Sequence, residues 1–504
     1  MTGRKVGEAR ENVMSSTDPN GVSRRSILAG LGVGAGVAGL AGVSQASAAA
    51  LPEPEASEEY DVVVIGSGLS GCAAALEAIQ NGARVIVIEK AAANRMGGNS
   101  LLALGSFSLP AEDTESAHRE YVEDYERTCL GRGNSTIFGL MAQHVHADIA
   151  WLQDNGVEIL APVPAPPNRV LSATVAPGPF VGMPRLFRAL RAKITELGGV
   201  FAFDTKAKEL IMDTRGAVVG VRAAGRDGLI DYRSRSVVIA TGGYAGNKQF
   251  LEAWSDPNAG GMMVRGIDWA TGDGLVMAQA AGAGIRGIGG MMALHIAAVD
   301  AVETAAGQPA RAVPYAISVN VEGKRFIDES RGYVAHGKAV VEQPQQTTAL
   351  IFDAAQKETT VFEGIIGTFQ RLGLEIAEAN TLEELADRIG RPREQFLQTV
   401  AEFNAAVEDG AALSANPPKA TLAHRIETAP FYAFHPLAPG ITLTFGGVMI
   451  DGRTQVLEAD GRVIPGLYAA GEGAGAVFFH DYIGGGSLTN CLVMGRIAGR
   501  EAAT

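Results

Sequence analysis

A glycine-rich turn between a predicted strand and a predicted helix constrains the fold of this chain more than any other feature. Val62 to Ile65 is an apolar run typical of a buried strand, and the alanine-rich stretch from Cys72 to Ile79 predicts a helix. Val85 to Ile88 predicts a second strand, which is followed by Glu89. Between the first strand and the helix the chain reads IGSGLSG, a G-x-G-x-x-G pattern. With strands on both sides and an acidic residue about 20 positions on, this pattern predicts a dinucleotide-binding βαβ unit.

The three glycines of the pattern have separate physical roles in such a unit. Gly66 permits a tight turn, Gly68 lets the backbone approach a pyrophosphate, and Gly71 permits close packing of the helix on the strand. The helix N-terminus then faces the phosphates, and Glu89 lies where a ribose hydroxyl would be. FAD and NAD both bind to units of this kind, so the unit alone leaves the choice between them open.

Length and charge limit the classes of partner. The chain has 504 residues, of which 47% are hydrophobic, and this length suggests two domains or one domain with a large insertion. The formal net charge is −13 and no basic run follows the N-terminal segment, which argues against nucleic acid as a partner. Cys72, Cys129 and Cys491 occur singly, so the chain has no cysteine pattern for an iron–sulfur cluster or a c-type haem.

The N-terminal segment has the plan of an export signal. Arg24 and Arg25 precede a weakly apolar run rich in glycine and alanine, which ends in Ala46-Ser47-Ala48. Residues 1–48 are therefore predicted to be a twin-arginine signal peptide, and residues 49–60 a linker. A transmembrane anchor is the alternative, because the apolar run is about 20 residues long. The predicted location is periplasmic or extracytoplasmic, since twin-arginine export carries folded proteins.

Further motifs distinguish between the two cofactors. The chain contains RMGGNS at 95–100, VVIATGGYAGN at 237–247, TGDG at 271–274, NVEGKRFIDE at 320–329, GGVMID at 446–451 and VIPGLYAAGEGAG at 463–475. In these motifs the chain resembles the FAD-dependent oxidoreductases of the fumarate reductase, succinate dehydrogenase and 3-ketosteroid dehydrogenase type. The resemblance extends from about Tyr60 to the end of the sequence.

The resemblance implies FAD as the cofactor and assigns residues to it. In this family Glu89 would bind the adenosine ribose, Glu472 would contact the ribityl side, and the amides of Ser487 and Leu488 would lie near the isoalloxazine ring. Members with covalently bound flavin have a histidine where this chain reads RMGGNS, so we expect non-covalent FAD. The predicted cofactor residues are Gly66, Ser67, Gly68, Leu69, Ser70, Gly71, Glu89, Lys90, Gly98, Asn99, Ser100, Ala207, Thr241, Gly242, Asp273, Glu472, Ser487 and Leu488.

The resemblance also implies the architecture. It predicts an α/β fold in which a Rossmann-type FAD-binding domain is split between residues 61–288 and 437–504. An α+β capping domain is inserted at 289–436, and the substrate is expected where the two domains meet. Within the cap, the stretch from Thr381 to Gly410 predicts two amphipathic helices, because Leu382, Leu385 and Ile389 recur at three- and four-residue steps.

Two tyrosines stand where the dicarboxylate enzymes of the family have arginines. These are Tyr333 in RFIDESRGYVAHG and Tyr482 in HDYIGGGS, and a histidine of the family is replaced by Leu443. A guanidinium binds a carboxylate through two charged hydrogen bonds and a phenol cannot, so the change favours a neutral carbonyl. The pattern resembles the 3-ketosteroid dehydrogenases, in which Tyr333 would transfer the proton. Tyr482 and the backbone amide of Gly486 would hold the ketone oxygen.

Other features of the chain leave alternatives open. The ending GSLTNCLVMGRIAG is closer to fumarate reductases and tricarballylate dehydrogenases than to the steroid enzymes, so the alternative substrate is an unsaturated carboxylic acid, as in fumarate, urocanate or tricarballylate enzymes. A third hypothesis is a flavin-containing binding or electron-carrier protein without its own substrate. For an enzyme, the partners would be a small carbonyl substrate and an external quinone, cytochrome or flavoprotein.

Several individual residues have two interpretations each. Arg331, His336 and Lys338 are candidates to tune the acidity of Tyr333. Tyr125 is either a third catalytic tyrosine or a packed helix residue, and His295 is either a substrate ligand or a core histidine. Arg311 is either a proton-relay or a surface residue, and His480 lies either in the wall of the site or beside it.

Overall fold

The computed structural model describes residues 51–165, 168–178, 181–287, 293–299 and 307–504. Residues 53–504 form one compact unit. The predicted signal peptide at 1–48 lies outside the described residues, as does the side chain of His295.

The described residues contain short strands alternating with helices. The strands are β1 Ala56–Glu59, β2 Val62–Ile65, β3 Val85–Ile88, β4 Ser106–Pro110, β5 Val163–Pro164, β6 Val170–Thr174, β7 Val200–Ala202, β8 Lys206–Met212, β9 Val218–Gly225, β10 Gly228–Arg233, β11 Ser236–Ile239, β12 Met263–Val264, β13 Ile285–Arg286, β14 Ala293–Ala298, β15 Ile317–Val319, β16 Thr348–Asp353, β17 Ile376–Ala379, β18 Phe431–Leu443, β19 Gly447–Val448, β20 Gln455–Leu457 and β21 Val463–Ala469. The α-helices are α1 Leu69–Gln80, α2 Gly98–Leu101, α3 Glu115–Thr128, α4 Ser135–Asp154, α5 Gly182–Glu196, α6 Lys248–Trp254, α7 Asp273–Ala280, α8 Tyr333–Val341, α9 Ala354–Lys357, α10 Thr360–Arg371, α11 Leu382–Arg388, α12 Arg393–Ala406 and α13 Gly486–Ala503.

The main sheet combines strands from both ends of the described chain. Its order is β20-β21-β11-β2-β3-β7, and all neighbours are parallel except the edge strand β20. Strands β2, β3 and β11 are buried at every position, as expected for a parallel sheet covered on both faces. The buried strand, glycine turn and helix predicted at 62–79 are therefore confirmed, and they lie at the centre of this sheet.

Helices α1 and α13 pack closely beside each other on this sheet. Their approach depends on small residues, because a Cβ on Gly495 would lie 2.6 Å from the carbonyl oxygen of Ser70. A Cβ on Gly499 would overlap the carbonyl oxygen of Ala74. The packing brings the last helix of the chain against the first helix of the dinucleotide unit.

A second sheet is built mainly from strands between Ala293 and Leu443, with β12 at one edge. Its order is β12-β18-β16-β15, and β14 and β17 also pair with β18. The predicted boundary between residues 436 and 437 falls inside the long strand β18, which continues to Leu443. The amphipathic helices predicted between 381 and 410 are confirmed as α11 and α12, and Leu385, Ile389 and Phe396 are buried in a core beneath them.

Three smaller sheets complete the described fold. The first has the order β1-β10-β9-β8, in which β1 pairs parallel with β10 and the other neighbours are antiparallel. The other two are antiparallel, with the orders β4-β6-β5 and β13-β19. Across residues 51–504, apart from the gaps given above, no helix is both long and apolar enough to cross a membrane.

Candidate functional site

The dinucleotide turn adopts a backbone that only glycine accommodates. Gly66 has φ +106°, and a Cβ on it would meet the carbonyl oxygen of Ala240 at 2.5 Å. A Cβ on Gly71 would overlap the carbonyl oxygen of Gly66, so the turn and the first turn of α1 touch. Gly68 is the N-cap of α1 and leaves the start of the helix open. Gly66 and Gly71 thus have the conformational roles that the sequence predicted, and the approach of Gly68 to a pyrophosphate stays a prediction.

The carboxylate of Glu89 holds this turn in place. Its Oε2 accepts hydrogen bonds from the amide and the hydroxyl of Ser67 at 2.9 and 2.7 Å, and its Oε1 accepts one from the amide of Ala91 at 2.8 Å. Leu69 follows at the start of α1, where its amide donates to the Ser100 hydroxyl at 3.4 Å, and Ser70 is buried beside it. The side chain that is predicted to bind ribose therefore also orders the predicted phosphate loop.

Lys90 and Asp273 form an ion pair at the start of α7. The Lys90 Nζ is 2.6 Å from the carboxylate of Asp273, and Lys206 approaches the same carboxylate at 3.2 Å. Burial raises the pKa of Asp273, but the hydrogen bonds and charges of Lys90 and Lys206 together outweigh burial, and the pKa is lowered overall. Ala207, also predicted at the cofactor, is buried next to Lys206 on β8.

A second carboxylate links three distant segments. Glu472 Oε1 accepts hydrogen bonds from the amide and the hydroxyl of Thr444 at 2.7 and 3.0 Å, and its Oε2 accepts a longer one from Asn99 at 3.4 Å. Burial raises the pKa of Glu472. Asn99 also binds the backbone of Ile267 and Thr442, so α2 is attached to the cap strand β18 and its neighbour.

The glycines around this carboxylate leave room for a ligand. Gly98 has φ +54° and Gly242 has φ +73°, and a Cβ on Gly242 would lie 3.9 Å from Glu472. Thr241 directs its hydroxyl to Gly274, where a Cβ would overlap it. These contacts place Asn99 and Gly242 beside Glu472, whereas Thr241 faces Gly274 at the start of α7.

A small cavity lies beside Glu472. It is lined by Leu443, Thr444, Phe445, Gly446, Glu472, Val477, Phe478, Ser487 and Asn490. The side-chain oxygen of Asn490 is buried, and no described residue donates a hydrogen bond to it. A buried polar atom without a partner in a cavity is expected where a ligand supplies the missing donor.

The N-terminus of α13 faces this cavity. Gly485 is its N-cap with φ +87°, and the amides of Ser487 and Leu488 have no hydrogen-bond partner among the described residues. Amides of this kind, at the positive end of a helix dipole, fit an electron-rich edge of a cofactor. The orphan oxygen, the glycine cradle and these amides together fit FAD.

The amide of Gly486 is engaged differently from the prediction. It donates to the carbonyl oxygen of Ile483 at 2.9 Å, which closes the turn before the helix instead of leaving a donor for a substrate oxygen. Gly486 is required for another reason, since a Cβ there would overlap the hydroxyl of Tyr125.

Tyr125 lies under the start of α13 and is fully buried. Its hydroxyl bonds to the Ser108 hydroxyl at 2.6 Å, and Ser108 also bonds to Tyr121 at 3.0 Å. Thr489 donates to the carbonyl oxygen of Ser108 at 2.8 Å. The described contacts of Tyr125 are thus those of a packed residue that supports the helix.

Tyr333 and Tyr482 come together, as the two motifs predicted. Tyr333 is the first residue of α8, Tyr482 lies in the loop before α13, and each phenol affects the pKa of the other. Burial raises the pKa of both phenols, and Asp481 raises it further. The two tyrosines are 149 positions apart in sequence, and the cap brings them into contact.

Arg265 is the functional candidate that sequence reasoning missed. It follows β12, is only 5% exposed and acts electrostatically on both Tyr333 and Tyr482. Burial lowers the pKa of Arg265 to about 10, and both tyrosines oppose that change. Arg265 is the single basic residue in the run GGMMVRGIDWATGDG, and this was the available signal, because an arginine in apolar surroundings is rarely buried without a role.

Arg265, rather than the predicted residues, lowers the pKa of Tyr333. Arg331 is exposed, and His336 is buried with its Nε2 2.7 Å from the Ser318 hydroxyl. Burial lowers the pKa of His336 to about 3, so the ring stays neutral. The remaining candidate, Lys338, lies with His480 near Asp481, and Arg311 is exposed.

Comparisons with known proteins agree with this geometry. A family described as an FAD binding domain matches residues 61–488. The fumarate reductase (cytochrome) of Shewanella frigidimarina is 30% identical over 476 residues, which cover 91% of this chain and 79% of the relative.

Solved structures also resemble the chain. The open conformation of a flavocytochrome c3 fumarate reductase aligns with a TM-score of 0.74 and 28% identity, over 89% of this chain and 78% of that one. The 3-ketosteroid-Δ4-(5α)-dehydrogenase of Rhodococcus jostii RHA1, in complex with 4-androstene-3,17-dione, aligns with a TM-score of 0.69 over 91% of this chain and 99% of that one. At 24% identity, this second structure supports the fold alone.

Proposed function

This chain belongs to the FAD binding domain family and is an FAD-dependent oxidoreductase acting on CH–CH groups, and from that premise we propose that its substrate is a ketone. The reacting CH–CH bond lies next to the carbonyl group, and the substrate class is similar to 3-ketosteroids. When bound, FAD supplies or accepts the hydride. The residues that fit it are the glycine turn with Glu89, the Glu472 cluster, and the amides of Ser487 and Leu488.

The observation that carries this proposal is that the Tyr333 and Tyr482 side chains come together and affect each other's pKa. In the proposed reaction the Tyr482 hydroxyl donates to the ketone oxygen, which polarises the carbonyl and acidifies the neighbouring C–H bond. Tyr333 takes the proton from that carbon during dehydrogenation and returns it during reduction. A single donor to a developing oxyanion contributes about 2.7–4 kcal/mol in a site that excludes water.

Arg265 supports both roles. Its positive charge lowers the pKa of Tyr333 and of Tyr482, although burial and Asp481 keep both values raised. A guanidinium at this position stabilises a phenolate on Tyr333 and negative charge on the substrate oxygen. Arg265 thus takes the tuning role that the sequence assigned to Arg331, His336 or Lys338.

Arg265 also favours a second candidate substrate, an α,β-unsaturated carboxylic acid. A buried guanidinium beside two phenols offers charge-assisted hydrogen bonds to a carboxylate. The similarity to the fumarate reductase of Shewanella frigidimarina points in the same direction. The tyrosine pair favours the ketone, because neither phenol supplies the second charged fork that a dicarboxylate would use.

Anaerobic turnover distinguishes the two candidates. The purified protein is given 4-androstene-3,17-dione with an oxidising dye, and fumarate with a reduced dye. We expect turnover of the ketone, loss of that turnover in Tyr333→Phe, and no reduction of fumarate. Tyr60→Phe, at the distant edge of the fold, is the matched control. Fumarate reduction without ketone turnover would establish the second candidate, and turnover of neither would contradict both.

We also propose that the protein is exported in folded form and exchanges electrons with an external quinone, cytochrome or flavoprotein. The Arg24-Arg25 pair and the small residues at 46–48 support export. Replacing both arginines with lysine is expected to retain the protein in the cytoplasm, measured by fractionation of the producing cells. Unchanged export would contradict the twin-arginine assignment.

A further inference from the structure

Helix α5 carries a row of arginines on its outer face. Arg185, Arg188 and Arg191 are exposed and follow one another at three-residue steps, which places them on one side of the helix. No acidic side chain of the described residues forms an ion pair with any of the three, and Glu196, the one acidic residue of α5, pairs with Lys193. The formal net charge of the whole chain is −13, so this row is a local positive face on an acidic protein.

The opposite face of α5 packs against the segment predicted to hold the cofactor. The helix contacts α1 and α2, and a Cβ on Gly97 would lie 3.0 Å from the Phe187 ring. On the outer side, the Arg191 guanidinium donates to the carbonyl oxygen of Ala93 at 3.4 Å. The arginines therefore lie over the segment that leads into residues 98–100, which are predicted cofactor residues.

Exposed apolar side chains lie at the N-terminal end of the arginine row. Leu102 and Leu104 follow α2 directly, and Val181 is the N-cap of α5. The two segments meet, because a Cβ on Gly105 would lie 3.5 Å from Met183 in the first turn of α5. Protein interfaces combine an apolar centre with a polar rim, and those of electron-transfer complexes are among the smallest. A small apolar patch beside a charged row therefore suits a transient redox complex.

We propose that the α5 face, formed by Arg185, Arg188, Arg191, Leu102 and Leu104, is the docking surface for an acidic protein that carries single electrons. This inference rests on the proposed exchange of electrons with an external carrier, and it is independent of the ketone assignment. Reduction of one C=C bond takes two electrons and two protons, so two reduced carriers are oxidised and the protons come from solvent. Dehydrogenation runs the same balance in reverse.

Two features of the α5 face support this partner. Opposite charges steer a carrier to the surface and orient it there, which raises the rate of association. A carrier seated on Leu102 is one residue from the end of α2, beside the predicted flavin site. Because electron transfer slows steeply with distance, this short separation favours the α5 face over surfaces farther from the cofactor.

The packing of α5 favours a protein partner over a lipid surface. A helix that lies on a membrane inserts its apolar face between the lipids. The apolar residues Leu186, Leu190 and Ile194 of α5 are instead buried in the core of this protein. The charged side of the helix is left outside, and such a side suits reversible association with a folded acidic partner.

Anaerobic stopped-flow mixing tests the docking surface without a substrate. Reduced plant-type ferredoxin, a strongly acidic iron–sulfur protein, is mixed with the FAD-loaded protein, and bleaching of the flavin gives a second-order rate constant. We expect this constant to fall at least about tenfold as the salt concentration is raised. The triple variant Arg185→Glu, Arg188→Glu, Arg191→Glu should lower the rate constant at low salt by about 10²-fold.

Two controls separate docking from damage to the flavin site. Reduced methyl viologen, a small cation that needs no docking surface, should bleach the flavin of the α5 variant at least as fast as that of the wild type. The variant Arg371→Glu, Arg388→Glu, Arg425→Glu makes the same change in net charge at exposed positions of the cap, and it should keep most of the rate with ferredoxin. Equal slowing of the two triple variants with ferredoxin, or slowing of the α5 variant with methyl viologen, would overturn the proposal.

Binding gives a readout that needs no electron transfer. Oxidised ferredoxin is titrated into the oxidised protein by calorimetry at low salt, and we expect the α5 variant to bind at least about tenfold more weakly than the wild type. Equal affinities, or no binding to the wild type, would overturn the docking surface. Binding of the wild type to phosphatidylglycerol vesicles instead of ferredoxin would assign the face to a membrane. Since neither test uses a ketone or an unsaturated acid, failure here leaves the proposed substrate unaffected.

Discussion

Tyr482 is the single residue on which the ketone assignment depends most. We expect Tyr482→Phe to lower turnover of 4-androstene-3,17-dione by about 10²-fold, because the ring is kept and only the donor to the carbonyl oxygen is lost. The measurement is the anaerobic rate of dye reduction, with Tyr60→Phe as the control. A wild-type rate in Tyr482→Phe would assign the hydroxyl to packing.

Arg265 should control the pH dependence of the same reaction. Dehydrogenation requires the phenolate of Tyr333, so the rate rises with pH as this group deprotonates. Arg265 lowers the pKa of Tyr333, and Arg265→Met should therefore move the rise to higher pH and reduce the rate at neutral pH. The measurement is kcat/KM against pH. Arg311→Met, at an exposed position, is the control, and a profile that does not move would contradict the role of Arg265.

The two tyrosines could be predicted from the sequence and Arg265 could not, because only the tyrosines belong to local sequence motifs. Tyr333 and Tyr482 each stand at a fixed spacing from a recognisable local pattern. Arg265 reaches them because β12 pairs with β18, and its own amide donates to Ile441 at 2.8 Å. Such a pairing between distant segments leaves no local periodicity. For the same reason the sequence suggested neighbours of Tyr333 along the chain, namely Arg331, His336 and Lys338, as the residues that tune its pKa.

The start of α13 shows why three successive glycines are not equivalent. A Cβ on Gly486 would overlap the Tyr125 hydroxyl, whereas a Cβ on the exposed Gly484 would meet no atom within 4 Å. We expect Gly486→Ala to displace the helix N-terminus and weaken FAD binding at least about tenfold, and Gly484→Ala to leave it unchanged. The measurement is flavin fluorescence during titration with FAD. Equal affinities for the two variants would contradict the packing argument.

Elements with strong local patterns were predictable, whereas their boundaries were less so. The βαβ unit and the helices α11 and α12 follow from apolar periodicity and glycine spacing. No local pattern indicates that one strand, β18, runs through the predicted domain boundary at 436. Strand length depends on partners, and β18 pairs with strands from widely separated segments.

At the scale of the whole molecule, His336 should contribute to the loss of stability in acid. Burial lowers its pKa from 6.5 to about 3, so the folded state keeps the ring neutral while the unfolded chain protonates it. Its contribution is complete above pH 6.5 and is lost as the pH falls towards 3. Between pH 6.5 and about 5 the loss is about 2 kcal/mol.

Urea unfolding near neutral pH and about pH 5 measures this effect. We expect His336→Leu to be less stable than the wild type at neutral pH, because the Ser318 hydroxyl keeps Thr348 but loses its hydrogen bond with His336, and to lose less stability on acidification. The control is His424→Leu at an exposed position, which should keep the wild-type pH dependence. An equally steep acid loss in His336→Leu would contradict this prediction.

The protein should also release its flavin on unfolding, because no covalent bond is expected between them. No histidine occurs in RMGGNS, and Arg95 of this motif stacks on the Trp269 ring at 4.4 Å. We expect acid precipitation to leave the flavin in the supernatant, measured by its absorbance. A coloured pellet after washing would demonstrate a covalent bond.

The strand order of the main sheet has a consequence for biosynthesis. The nucleotide-binding turn is synthesised early, yet β21 and α13, which complete the sheet and cover the first helix, are synthesised more than 390 residues later. A nascent chain that has not been extended past Gly486 therefore lacks the N-terminus of α13, which faces the cavity in the complete protein. Acquisition of flavin thus reports that translation has passed Gly486, and a premature stop codon anywhere upstream yields a colourless product.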